Sequence, residues 1–392
     1  MTGSLMKRRQ LAVWLLAAPL ALAGCRAGAG PQAGAPRRFS HSVAIVDKKA
    51  TYQTKALFYN LLHPNGPGIL VGQQDATQYG VGWHDEPSRS DIKSVCGSNP
   101  AVYGWDMAEV VNAARQGRAV ATDTTLRHHR QLVLDAYQRG GLNTFCWHMD
   151  NFLTGKNFYD TTAVVAAILP GGARHAAYLR ALDVAADYFR GLKAPDGTTV
   201  PVIFRPFHEH TGSWFWWGKR HCTRAEFVQL WRFTVKYLRD EKQVHNLLFA
   251  YSPDRVPNMA EYFERYPGDA YVDVLGFDDY GDFNAVAAPN KGVATLAAIV
   301  GEAHKRRKTP ALTEAGLEKL TVPNWFDENL LGQIKADPQA RQIAYLMVWR
   351  NAHNGHFYAP YPGHASVPGF LRFYQDPLTV FEADHPRLYT VP

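Results

Sequence analysis

Short apolar runs recur along the chain, each ending in polar or aromatic residues and each followed by an amphipathic stretch. The runs are Gly68–Gln73, Ala101–Asp106, Leu142–His148, Val200–Glu209, Asn246–Pro253, Val272–Tyr280, Pro310–Glu314 and Ala344–Arg350. Continuous apolar runs of this length suit strands buried on both faces, and Pro201 falls where a strand tolerates proline, among its first residues. Between them, apolar spacing of three and four predicts helices over Thr124–Gln138, Ala173–Leu192, Arg224–Arg239, Met259–Tyr266, Val293–Arg306 and Asp327–Ala336, with a helix-like opening segment at Thr54–Leu62. Asp106–Arg118 is the candidate for the helix after the second strand, and Gln74–Asn99 reads as a long loop. Eight strands alternating with helices predict an α/β protein, a (β/α)8 TIM barrel forming a single catalytic domain over 41–392. A doubly wound open sheet would share the alternation, but no Gly-rich phosphate loop follows the first strand.

In such a barrel the C-terminal strand ends build the active site. Those ends carry Gln73 and Gln74, Asp106, His148, Glu209, Asp278 to Tyr280, Glu314, and Trp349 with Arg350. The densest is the fourth, where Val200–Phe204 gives way to Arg205, His208, Glu209 and His210, then to Trp214, Phe215, Trp216 and Trp217. Charged groups at the end of a buried strand are costly unless they face a cleft and find partners there. Four consecutive aromatic residues cannot all turn to one side, so some are expected in the cleft and Trp216 and Trp217 in loop packing. Flat aromatic faces beside carboxylates suit a sugar substrate. Glu209 and Glu314 end the fourth and seventh strands, across the mouth from each other, and glycoside hydrolysis needs two carboxyl groups.

Composition adds the setting. The chain is 46% hydrophobic and 20% charged, ordinary for a globular protein, and its net charge of +7 is spread out with no basic block, so no nucleic-acid partner is expected. Lys7, Arg8 and Arg9, the apolar Leu11–Leu22 and the sequence Leu22-Ala-Gly-Cys25 read as a lipoprotein signal peptide over 1–24, with Cys25 lipidated. Residues 25–40, rich in Gly, Ala and Pro at first, read as a flexible tether. An exported protein anchored to a bacterial membrane, on its periplasmic or cell-surface side, is therefore expected. Cys96, Cys146 and Cys222 permit at most one disulfide and match no zinc spacing. His208-Glu-His210 is not read as a metal site, because adjacent residues at a strand end point in different directions.

Arg205-Pro-Phe-His-Glu209 with Gly212-Ser-Trp-Phe-Trp-Trp-Gly218 resembles the acid/base motif of glycoside hydrolase family 26, the retaining β-mannanases of clan A. The similarity continues through Gly72-Gln-Gln74, Trp147-His148, Tyr251-Ser-Pro-Asp254, Asp278-Asp-Tyr280, Thr313-Glu314, Trp349-Arg350 and Phe370–Pro377. The resemblance implies that Glu209 is the general acid/base and Glu314 the nucleophile. Tyr280 and Arg205 are then expected against Glu314, and His208 as an orienting imidazole. Trp214 and Trp349 are expected as sugar platforms, with His148 and Arg350 as polar contacts on the glycone side. Asp106 and Asp279 are read as groups that fix loops. His210-Thr211 stands where many members have Met-Asn, which puts contacts on the leaving-group side in question. The expected activity is endo-hydrolysis of β-1,4-mannosidic bonds in mannan, glucomannan or galactomannan by a monomer that needs no cofactor. Exo release of mannobiose, β-glucanase or xylanase action, and a non-catalytic glycan-binding lipoprotein remain alternatives. The Gln74–Asn99 and Asp150–Gly172 segments are candidate walls that would close one end of the cleft.

Overall fold

The computed structural model describes residues 39–63 and 68–391. The signal sequence, Cys25 and most of the tether lie outside them. Eight parallel strands close into a barrel: β1 (Ile69–Gln74), β2 (Val102–Asp106), β3 (Leu142–Cys146), β4 (Val202–Arg205), β5 (Leu247–Tyr251), β6 (Val274–Asp279), β7 (Thr309–Ala315) and β8 (Tyr345–Val348). Neighbours in sequence are neighbours in the sheet, and β1 pairs with β8 through Leu70 and Tyr345 to complete the ring.

Side chains alternate across each strand, and the apolar residues divide accordingly. Leu70, Val102, Leu142, Ile203, Leu248, Val274, Ala311 and Tyr345 form one buried cluster inside the base of the barrel. Val71, Tyr103, Phe145, Phe204, Phe249, Phe277, Leu312 and Leu346 belong to another, packed against the surrounding helices. The base is stoppered by the helix Tyr52–Leu62, whose Leu57, Phe58 and Leu61 join the inner cluster. Thr51 caps that helix by accepting from the Thr54 amide at 3.2 Å. With the base sealed, the inward-facing polar residues at the other end are left to line an open mouth.

The segment Gln74–Asn99, expected as a long loop, has structure of its own. It holds a two-residue hairpin, Tyr79–Gly80 against Trp83–His84, and the helix Asp91–Cys96 capped by Ser90. The Asp327–Ala336 region is a π-helical stretch, Trp325–Gly332, continued by Gln333–Ala336. The helix expected to reach Arg239 stops at Lys236 and passes into a π turn, Tyr237–Glu241. After the barrel come the helix Val367–Gln375, β9 (Thr379–Val380), which lies beside β1 at the base, and a short 3-10 turn, Glu382–Asp384. Cys146 and Cys222 are unbridged thiols.

Candidate active site

The fourth strand ends on Arg205, which shares inward orientation with Ile203 and is 1% exposed. Its guanidinium forks, donating to Asp278 Oδ2 at 2.7 Å and Ser252 Oγ at 3.1 Å from one nitrogen, and to Glu314 Oε1 from another. A fixed planar fork suits this bridging role in a way that a flexible ammonium does not. Glu314 reaches the fork because β6 and β7 slip register. Phe277 is level with Leu312, but Asp278 is level with Glu314, so Thr313 is the extra residue. A bulge of this kind re-aims the side chain after it. The Thr313 hydroxyl then donates to Asp278 Oδ1 at 2.7 Å, and Tyr280 donates to Glu314 Oε2 at 2.7 Å. Every oxygen of Glu314 thus faces a donor.

Glu209 arrives by a strained path. Phe207 and Glu209 both adopt φ of +53°, the left-handed region that non-glycine residues enter at a cost of about 1–3 kcal/mol. The turn is pinned where the Glu209 amide donates to the Ser252 carbonyl at 2.8 Å, and where the Trp217 indole donates to the His208 carbonyl at 2.8 Å. Trp214 folds back to donate its indole N–H to Glu209 Oε2 at 2.6 Å. That ring needs the absent side chain of Gly212, since a Cβ there would sit 2.3 Å from it.

Carboxylate oxygens of Glu209, Asp278 and Glu314 lie within 4.8 Å of one another, with one guanidinium among them. Burial, then the charges of Glu314 and Asp278, push the Glu209 carboxyl well above the usual carboxylate range. Glu209 thus holds a proton more tightly than an ordinary carboxyl, opposite a Glu314 held by Arg205 and Tyr280.

His208 is buried, and burial, then the charge of Arg205, holds it neutral. His148 sits edge-on to it at 4.6 Å and is surrounded by Phe158, Phe215 and Trp349. Its Nδ1 lies 2.7 Å from Asp106 Oδ2. Arg350 donates to the Tyr79 hydroxyl at 3.1 Å, and Tyr79 donates to Asp75 Oδ2 at 2.5 Å. Burial and then Glu109 raise the Asp75 carboxyl to about 8. Trp349 is half-buried in the mouth and Trp214 is 40% exposed. All nine side chains that sequence placed at the site are thus gathered around the mouth of the barrel.

Other side chains were sorted by partners that sequence alone does not reveal. Trp216 and Trp217 are fully buried, in line with the packing expectation, and Phe215 is buried with them. His210 turns away from the mouth to meet the Tyr251 hydroxyl at 3.0 Å and the Phe207 carbonyl at 3.3 Å, so it is not a leaving-group contact. Asp279 accepts from the Gly281 and Asp282 amides and fixes the loop after β6, while Asp106 caps the helix Met107–Arg115. Three tyrosines were missed. Tyr79 stands on the hairpin, Tyr159 is 61% exposed in the field of Glu209, and Tyr358 packs edge-on against Tyr280 at 5.7 Å. Tyr358 crosses over Gly316, where a Cβ would lie 2.4 Å from its ring. Only Tyr159 had a signal, its place in the aromatic Phe158-Tyr159 pair of a segment already read as a wall. Among the described residues two clusters have metal-ligand types close together, Glu209–Asp278–Glu314 and Asp106–Cys146–His148. Their oxygen and nitrogen atoms are engaged with Arg205, Tyr280 and Trp214 in the first and with each other in the second.

The sequence profile of glycosyl hydrolase family 26 matches residues 46–366. A mannan endo-1,4-beta-mannosidase of Bifidobacterium adolescentis is 37% identical over 330 residues, which are 80% of this chain and 33% of that protein. The chain thus spans a third of that relative's length. A protein of the same name from Bacillus subtilis strain 168 is 28% identical over 329 residues, 80% of this chain and 83% of its own. Among solved structures, a GH26 beta-mannanase from Bacteroides ovatus superposes with a TM-score of 0.80 at 38% identity, covering 87% of this chain and 98% of that one. A modular endo-beta-1,4-mannanase from Cellulomonas fimi gives 0.82 at 38% identity, covering 89% and 79%.

Proposed function

The chain belongs to glycosyl hydrolase family 26, and from that premise we propose that it is an endo-acting β-1,4-mannanase that retains anomeric configuration through a two-step displacement. The observation that carries the reading is the placement of Glu209 and Glu314 with carboxylate oxygens within 4.8 Å, the first with its proton affinity raised by burial and by its acidic neighbours, the second gripped by Arg205 and Tyr280. Carboxyl groups about 5 Å apart leave no room for a water between them and the sugar, which favours attack by the carboxylate itself.

In the first step a Glu314 oxygen bonds to the anomeric carbon as the glycosidic bond breaks, and Glu209 gives its proton to the departing oxygen. Glu314 then loses its charge in the glycosyl ester. The field that had raised Glu209 weakens, so Glu209, now ionised, can take a proton from the water that attacks the same carbon. The ester bond to Glu314 breaks and Glu209 is reprotonated. Tyr280 and Arg205 hold Glu314 in the attacking rotamer throughout. Trp214, Trp349 and Tyr159 offer ring faces for sugar C–H surfaces, and His148 and Arg350 polar contacts beside them.

Product analysis over time on linear β-1,4-mannan, mixed-linkage glucan and xylan tests the reading. Mixed-length manno-oligosaccharides from the outset support it. Mannobiose alone moves the assignment to exo action, release from glucan or xylan overturns the substrate, and no release from any of them restores the glycan-binding alternative. The Leu22–Cys25 lipobox supports a mature protein exported and tethered to a membrane through a lipid on Cys25. Cys25→Ala is expected to move the protein from the membrane to the soluble fraction, and unchanged fractionation would remove that part of the proposal.

A further inference from the structure

His148 and His208 stand face to edge with their Nε2 atoms 3.2 Å apart. Two ring nitrogens at that distance hold one proton between them, so one donates and the other accepts. Which is which depends on the far side of His148. Its Nδ1 lies 2.7 Å from Asp106 Oδ2, while Asp106 Oδ1 accepts from the Ala108 amide at 2.9 Å and the His148 amide at 3.1 Å. The Cys146 thiol is 3.7 Å from the same Nδ1, but it has the Trp105 carbonyl as an acceptor at 3.5 Å. Burial works against ionisation of Asp106, yet three donors on its two oxygens, the Ala108 and His148 amides and the His148 ring, favour the carboxylate, and its carboxyl stands below the usual range. An ionised Asp106 is acceptor only, so His148 Nδ1 must carry a proton.

We propose that Asp106 is a positioning residue that sets the tautomers of both histidines, Nδ1–H on His148 and Nε2–H on His208, and thereby the orientation of the His208 ring. The chain of donors runs from His208 Nε2 to His148 Nε2, and from His148 Nδ1 to Asp106. It leaves His208 Nδ1 as a bare acceptor, and that atom is buried with no partner among the described residues. The opposite order would bury an N–H there, and orphaned N–H groups are rarer in folded proteins than under-used acceptors. His208 is the residue before Glu209, with its carbonyl pinned by Trp217, so a ring held by Asp106 steadies the turn that delivers the acid/base group. The kinetic consequence rests on the hydrolase reading above, and the tautomers do not.

Asp106→Asn separates the two. The amide oxygen must keep the place that accepts two backbone N–H groups, so the NH2 group faces His148 Nδ1. Asn also keeps the cap on the helix Met107–Arg115. Nitrogen-15 NMR of histidine-labelled protein is expected to show His148 protonated at Nδ1 and His208 at Nε2, and both reversed in the variant. His148→Gln and His208→Gln identify the resonances. The variant's kcat on mannotetraose is expected to fall about tenfold or more while KM changes little, as when a catalytic unit is held in the wrong tautomer. Unchanged tautomers, or reversed tautomers with unchanged kcat, would overturn the proposal. A wild-type spectrum with His148 protonated only at Nε2 would overturn it without any variant. If the wild-type protein hydrolyses no mannan, the hydrolase reading fails while the spectra still decide the tautomers.

Discussion

Two halves of the barrel mouth have the same charge inventory and opposite characters. On one side Glu209, Asp278 and Glu314 surround Arg205, and on the other Asp75, Asp106 and Glu109 surround Arg350 in its electric field. In the second group each carboxylate is occupied by amide, hydroxyl or imidazole donors rather than by a guanidinium. Tyr79 and Gln74 meet Asp75, Gln78 meets Glu109 at 3.0 and 3.2 Å, and His148 with two amides meets Asp106. In the first group, Glu209 meets only the Trp214 indole among the described residues, with an oxygen within 4.8 Å of one on Glu314. Counting charges would assign chemistry to both halves. The kind of partner decides: saturated neutral networks build a wall, and a carboxyl with a single donor and a raised proton affinity, set against a clamped carboxylate, can exchange a proton with a substrate.

That contrast can be broken most decisively at Glu314. Glu314→Ala is expected to lower kcat on mannan by about four orders of magnitude or more with the fold intact by circular dichroism. Residual activity above about one per cent would place the nucleophile elsewhere. Glu209→Ala is expected to lose about a hundredfold or more on polysaccharide, yet far less in the first step with an aryl mannobioside whose leaving group needs no proton. Equal losses on both substrates would dissolve the distinction between the two glutamates. Its raised carboxyl also fixes a sign. The acid must be protonated to act, so kcat/KM is expected to fall as pH rises through its folded pKa, and that limb is expected to vanish in the alanine variant assayed on the aryl substrate.

Arg205→Met is expected to cost about 3–5 kcal/mol in urea unfolding, because it leaves Asp278 and Glu314 buried and facing each other. A cost within error would mean the fork is ornamental. The smallest effect is expected on the opposite wall. Asp75 binds its proton more tightly folded than unfolded, so the native state holds more protons and stability is lost as pH rises from about 4 to about 8. Asp75→Asn is expected to flatten that slope in thermal melts while leaving kcat within about twofold. A large fall in kcat would show that the wall takes part in the chemistry.

The barrel was legible because buried parallel strands are written as unbroken apolar runs, and because polar residues such as Glu209 and Glu314 fall where those runs stop. That one of the four neighbouring aromatics, Trp214, is exposed while the others are buried agrees with the impossibility of turning all four to one side. What stayed hidden is lateral. The bulge at Thr313 that brings Glu314 level with Asp278 depends on register between strands, and no pattern within either strand encodes it. The hairpin bearing Tyr79 has strands of two residues, too short for alternation to register. The contact between Asp106 and His148 joins residues 42 positions apart at the tips of adjacent strands. The carboxylate could be read as loop-fixing from sequence, but its hold on an imidazole could not.

The seal at the base has a temporal consequence. Asn60, in the stoppering helix, donates to the carbonyls of Leu388 and Thr390, 328 and 330 positions away, and although β1 pairs early with β2, its other edge waits for β8 and its first residues for β9, near the far end of the chain. The first strand to leave the ribosome is thus among the last to be fully paired, and it must wait with one edge bare until the rest has been made. Truncation after β7 would therefore yield an open sheet with its oldest strand unclosed, prone to pairing with other chains, rather than a smaller enzyme.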